Sequence, residues 1–204
     1  MRQGSNVSDV VSRYGSAADF LQTFAIQNQM RYTENAARCV MGSAPTLLQV
    51  EGAYGRKVVD EWLTYQLANL SEYFGGAGKI TIGQMDDLCA LMIHECRGHR
   101  ITALMLFFRR VKAGYYGKFF GAFDPMALME MWRKFCTDVG EIIAQEERRR
   151  QVERLAEFKR DAVPLEVIRE RMEKGEYQNL KRFFDGEGDY GLLRDQRQGD
   201  DRKD

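Results

Sequence analysis

The chain has 204 residues, 44 % of them apolar, and 30 Lys and Arg against 30 Asp and Glu give it a formal net charge of zero. That length can bury a sizeable core in one or two domains, and with no net charge any affinity for a polyanion has to come from a local patch. No unbroken apolar run exceeds six residues, the length reached at Ala103 to Phe108, far below the roughly 20 residues that span a bilayer, and no basic start with an apolar stretch behind it opens the chain, so the expectation is a cytoplasmic protein with no membrane contact.

Only three prolines occur, at 45, 125 and 164, amid many Leu, Met, Ala, Glu and Arg, a composition that favours helices. The first 15 residues are polar and read as loosely ordered, although Val7 to Tyr14 has the makings of a short helix. Ser16 caps a predicted helix over 17–41, with Phe20, Leu21, Phe24, Ala25 and Met30 at helical spacing and Gly42 as its stop. Pro45 then sits in the first turn of a short helix through Leu47, Leu48 and Val50. From Arg56 to Phe74, the residues Val58, Val59, Trp62, Leu63, Leu67, Leu70 and Phe74 trace one helical face, ended by Gly75-Gly76-Ala77-Gly78. Thr81 with Gln84 three residues later matches the reciprocal capping pattern, with Ile80 ahead as a staple partner, and opens a helix over 82–97 that stops at Gly98.

Thr102 is the expected cap of a helix over 103–113. The aromatic stretch from Tyr115 to Phe123, spaced by Gly114, Gly117 and Gly121, reads as a turn or a short hairpin. Asp124-Pro125 is a strong helix start, and a helix of about 35 residues follows to Asp161 or so. Its first half carries Leu128, Met131, Trp132, Phe135, Val139, Ile142 and Ile143 on one side. Its second half, Gln145 to Arg160, is mostly charged and reads as a solvated extension or weak coiled-coil arm. Pro164 ends it, and two short helices are expected over 165–174 and 177–184. The domain reading is a flexible amino terminus at 1–15, a compact helical domain at 16–143, a charged helical arm with short helices at 144–184, and a disordered tail at 185–204. The fold class is all-α.

Few motifs survive inspection. His94-Glu95-Cys96-Arg97-Gly98-His99 invites comparison with the zinc-protease signature, but that motif places its histidines four apart, about 40° from eclipsed on a helix. Here they are five apart, about 140° round the axis, with Gly98 between them, so no metal site is expected. Cys39, Cys89, Cys96 and Cys136 show no CxxC spacing and read as free thiols. Gly78-Lys79-Ile80 and Gly117-Lys118-Phe119 both lack the Ser or Thr of a phosphate loop. Asp86-Asp87 lies early in a capped helix, where it stabilises the amino-terminal end. With no set of nucleophile, base and orienting group, the chain reads as a non-enzyme without a cofactor.

One stretch stands out. From Cys96 to Phe123 there are six Lys and Arg (Arg97, Arg100, Arg109, Arg110, Lys112 and Lys118) and no Asp or Glu. Cations beside exposed rings suit a phosphate backbone and unstacked bases. The candidate nucleic-acid contacts are Arg109, Arg110, Lys112, Tyr115, Tyr116 and Lys118, with DNA or RNA as partner. The competing reading buries Phe119, Phe120 and Phe123 against neighbouring helices and leaves the cations solvated.

The strings Ile80-Thr81-x-x-Gln84, Thr102-x-Leu104-Met105-Leu106-Phe107-Phe108-Arg109-Arg110, Lys112-Ala113-Gly114-x-Tyr116-Gly117-Lys118-Phe119-x-Gly121 and Asp124-Pro125 carry a resemblance. The stretch from Lys79 to Phe135 resembles an uncharacterised family of small helical proteins from gut Bacteroidetes and their mobile elements. The resemblance implies an element-borne accessory protein, and helix pairs with a basic turn are loosely similar to phage replication-loader modules. The functional expectation is a non-enzymatic nucleic-acid-associated accessory protein in replication of a phage or mobile element. The alternative is a protein–protein adaptor that uses residues 145–160 to pair with a partner or with itself.

Overall fold

The structure, a computed structural model, describes residues 3–75, 80–119 and 123–174. Among them the chain is all-α, in the order α1 (Gln3–Tyr14), α2 (Ala17–Thr23), a 3-10 turn (Ile26–Asn28), α3 (Gln29–Tyr32), α4 (Ala36–Met41), α5 (Leu47–Tyr54), α6 (Arg56–Phe74), α7 (Ile82–Cys96), α8 (Ile101–Lys112), α9 (Pro125–Asp161) and α10 (Leu165–Glu173). The one β-type pairing among these residues is an isolated bridge between Thr46 and Arg100. The expected tail, the helix over 177–184, Phe120 and Gly121 all lie outside the described residues.

The chain divides into two compact units, Met1–Arg150 and Gln151–Asp204, and α9 runs from the first into the second. In the second unit α9 ends at Asp161 and α10 follows Pro164, with Val152, Leu155, Phe158 and Leu165 exposed.

The first unit is built round α8. Every residue from Ile101 to Phe108 is buried, as is Val111. A helix apolar on all sides is stable only when surrounded, and α3, α4 and α6 pack against it. The rings of Trp132 and Phe135 on α9 lie 5.1 and 5.4 Å from that of Phe107. Burying each such side chain contributes about 1.5–3 kcal/mol. The stripe read off α6 is its buried face: Val58, Val59, Trp62, Leu63, Leu67 and Leu70. The Thr81–Gln84 capping box at the start of α7 forms as expected, and the Asp124 carboxylate accepts the Met126 amide at 2.8 Å to open α9. Phe119 and Phe123 pack against the core, so for these two rings the structural reading holds.

Four expectations need correction. Residues 3–14 form α1, longer than the short helix expected over 7–14, because Val10 is buried and the Tyr14 ring packs 5.9 and 5.2 Å from Phe20 and Phe24. The single helix over 17–41 is three helices and a turn. The Asn28 amide donates to the carbonyls of Gln22 and Thr23, Thr33 Oγ1 donates to Gln29 O, and Asn35 caps α4 by accepting from the Arg38 amide. These short polar side chains offer the backbone local partners that compete with a continuous helix. The break leaves Phe24 O to accept from the Trp62 indole at 2.8 Å. Thr102 is inside α8 and not its cap, and its hydroxyl donates instead to Cys39 O at 2.7 Å. No strand forms in the described part of 115–123; Gly114 and Gly117, at φ 73° and 118°, turn the chain there.

Candidate anion-binding site

The basic stretch does not form one outward patch. Arg97 pairs with Glu51 at 3.4 Å. Arg100 donates to Val40 O at 3.2 Å and to Ala44 O at 2.5 Å, satisfying carbonyls left free where α4 ends. Arg110 forms an ion pair with Asp138 of α9 at 2.8 Å, and its side chain is only 16 % exposed. The Tyr116 hydroxyl accepts from Arg110 at 3.0 Å and donates to Asp138 at 2.8 Å, and burial pushes its pKa up. Lys112 donates to Gln29 Oε1 at 3.3 Å and Asn69 Oδ1 at 2.5 Å, and desolvation lowers its pKa.

Three of the six residues expected at a nucleic-acid surface are therefore structural: Arg110, Lys112 and Tyr116. They are neutralised or satisfied by groups from elsewhere in the chain. Of the others, Tyr115 is 68 % exposed, but the Arg110 guanidinium sits 4.9 Å from its ring centroid and covers one face. Lys118 is exposed and Arg109 half-buried. Arg109 follows Thr102 by seven residues and so shares its face of α8, two turns on. Of the nearby charges it acts most strongly on the Cys39 thiol of α4.

A different set of cations does gather. A cavity of about 350 Å³ is lined by Arg13 and Tyr14 of α1, Arg31 and Tyr32 of α3, Glu34 and Asn35 of the loop, Arg38 of α4, and Phe24, Ser43, Ala44 and Thr102. All three arginines are exposed, and none has an ion-pair partner among the described residues. Against them stands one carboxylate, Glu34, which leaves the lining at net +2. Arg13 is steadied by donation to Ser43 O at 3.1 Å and by packing 5.4 Å from the Tyr14 ring centroid. A second cavity of about 210 Å³ shares Arg13, Tyr14 and Ser43 and adds Arg100 and Asp9.

The break in the 17–41 segment makes this site, because it turns α3 and α4 separately towards α1. The sequence reading missed it. No local spacing announces it, because Arg13, Arg31 and Arg38 sit on three different helices, α1, α3 and α4. Forked guanidiniums without carboxylate partners match a phosphate or carboxylate ligand.

A family of unknown function (DUF6633) has a model that matches residues 79–183, half of the 204-residue chain. The chain belongs to this family. No curated protein and no solved structure matches it. The DUF6633 segment takes in α7 to α10 and Thr102, whereas the cavity arginines precede it.

The DUF6633 segment also carries both histidines and three of the four cysteines. His94 is exposed on α7, while His99 lies beyond the helix end with its ring 4.9 Å from Trp132, and desolvation lowers its pKa. Among the described residues no three His, Cys, Asp or Glu side chains are grouped as a metal ion would require. All four thiols are free, and burial raises each pKa, that of Cys39 to about 11. Such thiols are poor nucleophiles.

Proposed function

We propose that this protein is a nucleic-acid-associated accessory protein that holds backbone phosphates in the cavity of Arg13, Arg31 and Arg38, and that it catalyses no reaction. The observation that carries the reading is three guanidiniums round one cavity with no ion-pair partner among the described residues, in a chain of zero net charge. Arg109 extends the contact along α8, and Tyr115 and Lys118 are the residues of the basic turn left to touch nucleic acid. The resemblance to proteins of Bacteroidetes mobile elements supports placing the role in replication of a phage or mobile element.

Fluorescence anisotropy with labelled single- and double-stranded oligonucleotides tests this. The three cavity contacts alone on a single strand predict a loss of at least about 20-fold in affinity between 50 and 200 mM salt. Arg31→Glu with Arg38→Glu should weaken binding at least about tenfold, or ~1.4 kcal/mol, with the circular dichroism unchanged. Undiminished affinity in that variant rules the cavity out.

A second reading, the adaptor, is favoured by one observation: Val152, Leu155 and Phe158 on α9 are 65, 53 and 74 % exposed. At three-residue steps they lie within about 120° of one another. Changing all three to Gln should lower the mass seen by light scattering if the helix pairs with itself; an unchanged mass removes self-pairing.

A further inference from the structure

A second cavity system lies wholly within the DUF6633 segment and shares no residue with the arginine site. It is a groove of about 590 Å³ walled by one stripe of α7 and the first turns of α9. On α7 the lining residues recur at 84, 87, 88, 91 and 95, and on α9 at 125, 126, 129, 130 and 133. Each is one helical face, about 16 and 12 Å long at 1.5 Å per residue.

The groove is apolar inside and acidic at its edge. Leu88 forms the buried floor, while Leu91 and Met126 stand 55 and 77 % exposed. Both side chains line the one groove, and an exposed apolar patch rimmed by polar residues marks an interaction site; methionine also adapts its shape to a partner. Asp87, Glu95, Asp124 and Glu130 ring the groove against one cation, Arg133, a net of −3. None of the four carboxylates has an ion-pair partner among the described residues.

We infer that this groove seats a basic amphipathic helix of a partner protein. The charge complementarity fixes the sign of the partner's flanks, and the apolar floor between two helices fixes its face. Anchors at i, i+3 or i+4 and i+7 would lie on Leu88, Leu91 and Met126, with Lys or Arg beside them meeting the acidic rim. The length takes about two to three helical turns.

The test uses the full chain and a labelled peptide of about 14 residues, with Leu at positions i, i+3, i+4 and i+7 and Lys elsewhere. Anisotropy should give a dissociation constant in the micromolar range. A scrambled peptide of the same composition, and one with Glu in place of Lys, should bind at least about tenfold more weakly. Leu91→Gln with Met126→Gln, both exposed positions, should weaken the Leu/Lys peptide at least about tenfold with circular dichroism unchanged, and so should Glu95→Lys with Glu130→Lys. Arg31→Glu with Arg38→Glu should leave peptide binding intact, which keeps this result separate from the phosphate site. Equal binding of the scrambled peptide, no binding at all, or indifference to the Leu91 and Met126 changes overturns the proposal. So does a homodimer in light scattering that the same two changes dissociate, since the occupant is then a second copy.

Discussion

Asp138→Ala leaves the Arg110 guanidinium without its carboxylate and the Tyr116 hydroxyl without its acceptor, at a junction where α8 meets α9. Breaking a fully buried charge pair costs about 3–5 kcal/mol, and an exposed one costs about 0–1. With the two side chains 16 and 30 % exposed, the expected loss falls between, about 2 kcal/mol, of which about 1 belongs to the orphaned tyrosine hydroxyl. For a chain of this size that lowers Tm by about 4–8 °C. Asp138→Asn keeps an acceptor and should cost about half as much. Urea unfolding followed by the fluorescence of Trp62 and Trp132 measures both, and a cycle with Arg110→Met isolates the coupling, expected at about 1–2 kcal/mol. A loss under about 0.5 kcal/mol in Asp138→Ala would refute the view that Arg110 is a structural cation.

Three further outcomes follow from the same geometry. Burial favours neutral His99, so the unfolded chain holds the extra proton more readily. The contribution is full above the ordinary value of 6.5 and is lost as pH falls through the lower folded value. His99→Gln should therefore lose less Tm than the wild type between pH 7.5 and 5.5, and parallel curves would contradict this. In a thiol assay with Ellman's reagent at pH 8, Cys136, the one cysteine not fully buried, should react first, with Cys39, Cys89 and Cys96 reacting only in denaturant; immediate reaction of all four would show an open core. Thr81→Ala removes the reciprocal cap of α7 and should cost about 1 kcal/mol in urea unfolding; no measurable loss would mean the α7 start contributes nothing to stability.

What the sequence shows of this protein is what short-range chemistry decides. The apolar stripe of α6, the Thr81–Gln84 box, the Asp124–Pro125 start and the run of α9 to Asp161 all rest on partners within about a turn, and all are present in the structure. The failures are where partners are remote. Arg110 meets Asp138 at a separation of 28 residues, and Lys112 meets Asn69 at 43. No local pattern announces either. An acid-free stretch therefore looked like a surface patch, when its carboxylate and amide partners came from other helices.

The helix over 17–41 failed for a subtler reason. Its apolar spacing is real, since Phe20 and Phe24 are core residues. Asn28, Thr33 and Asn35 nevertheless interrupt it with side-chain bonds to the backbone. That interruption also hid the cavity, because Arg13, Arg31 and Arg38 meet only once α3 and α4 turn independently.

The salt dependence of single-strand binding tests the phosphate cavity most directly. Each of Arg13→Gln, Arg31→Gln and Arg38→Gln should reduce the slope of log affinity against log salt by about 0.7, one phosphate contact apiece. Arg109→Gln should change it less. Slopes that stay at the wild-type value in all three cavity variants, with affinity unchanged, would contradict the account.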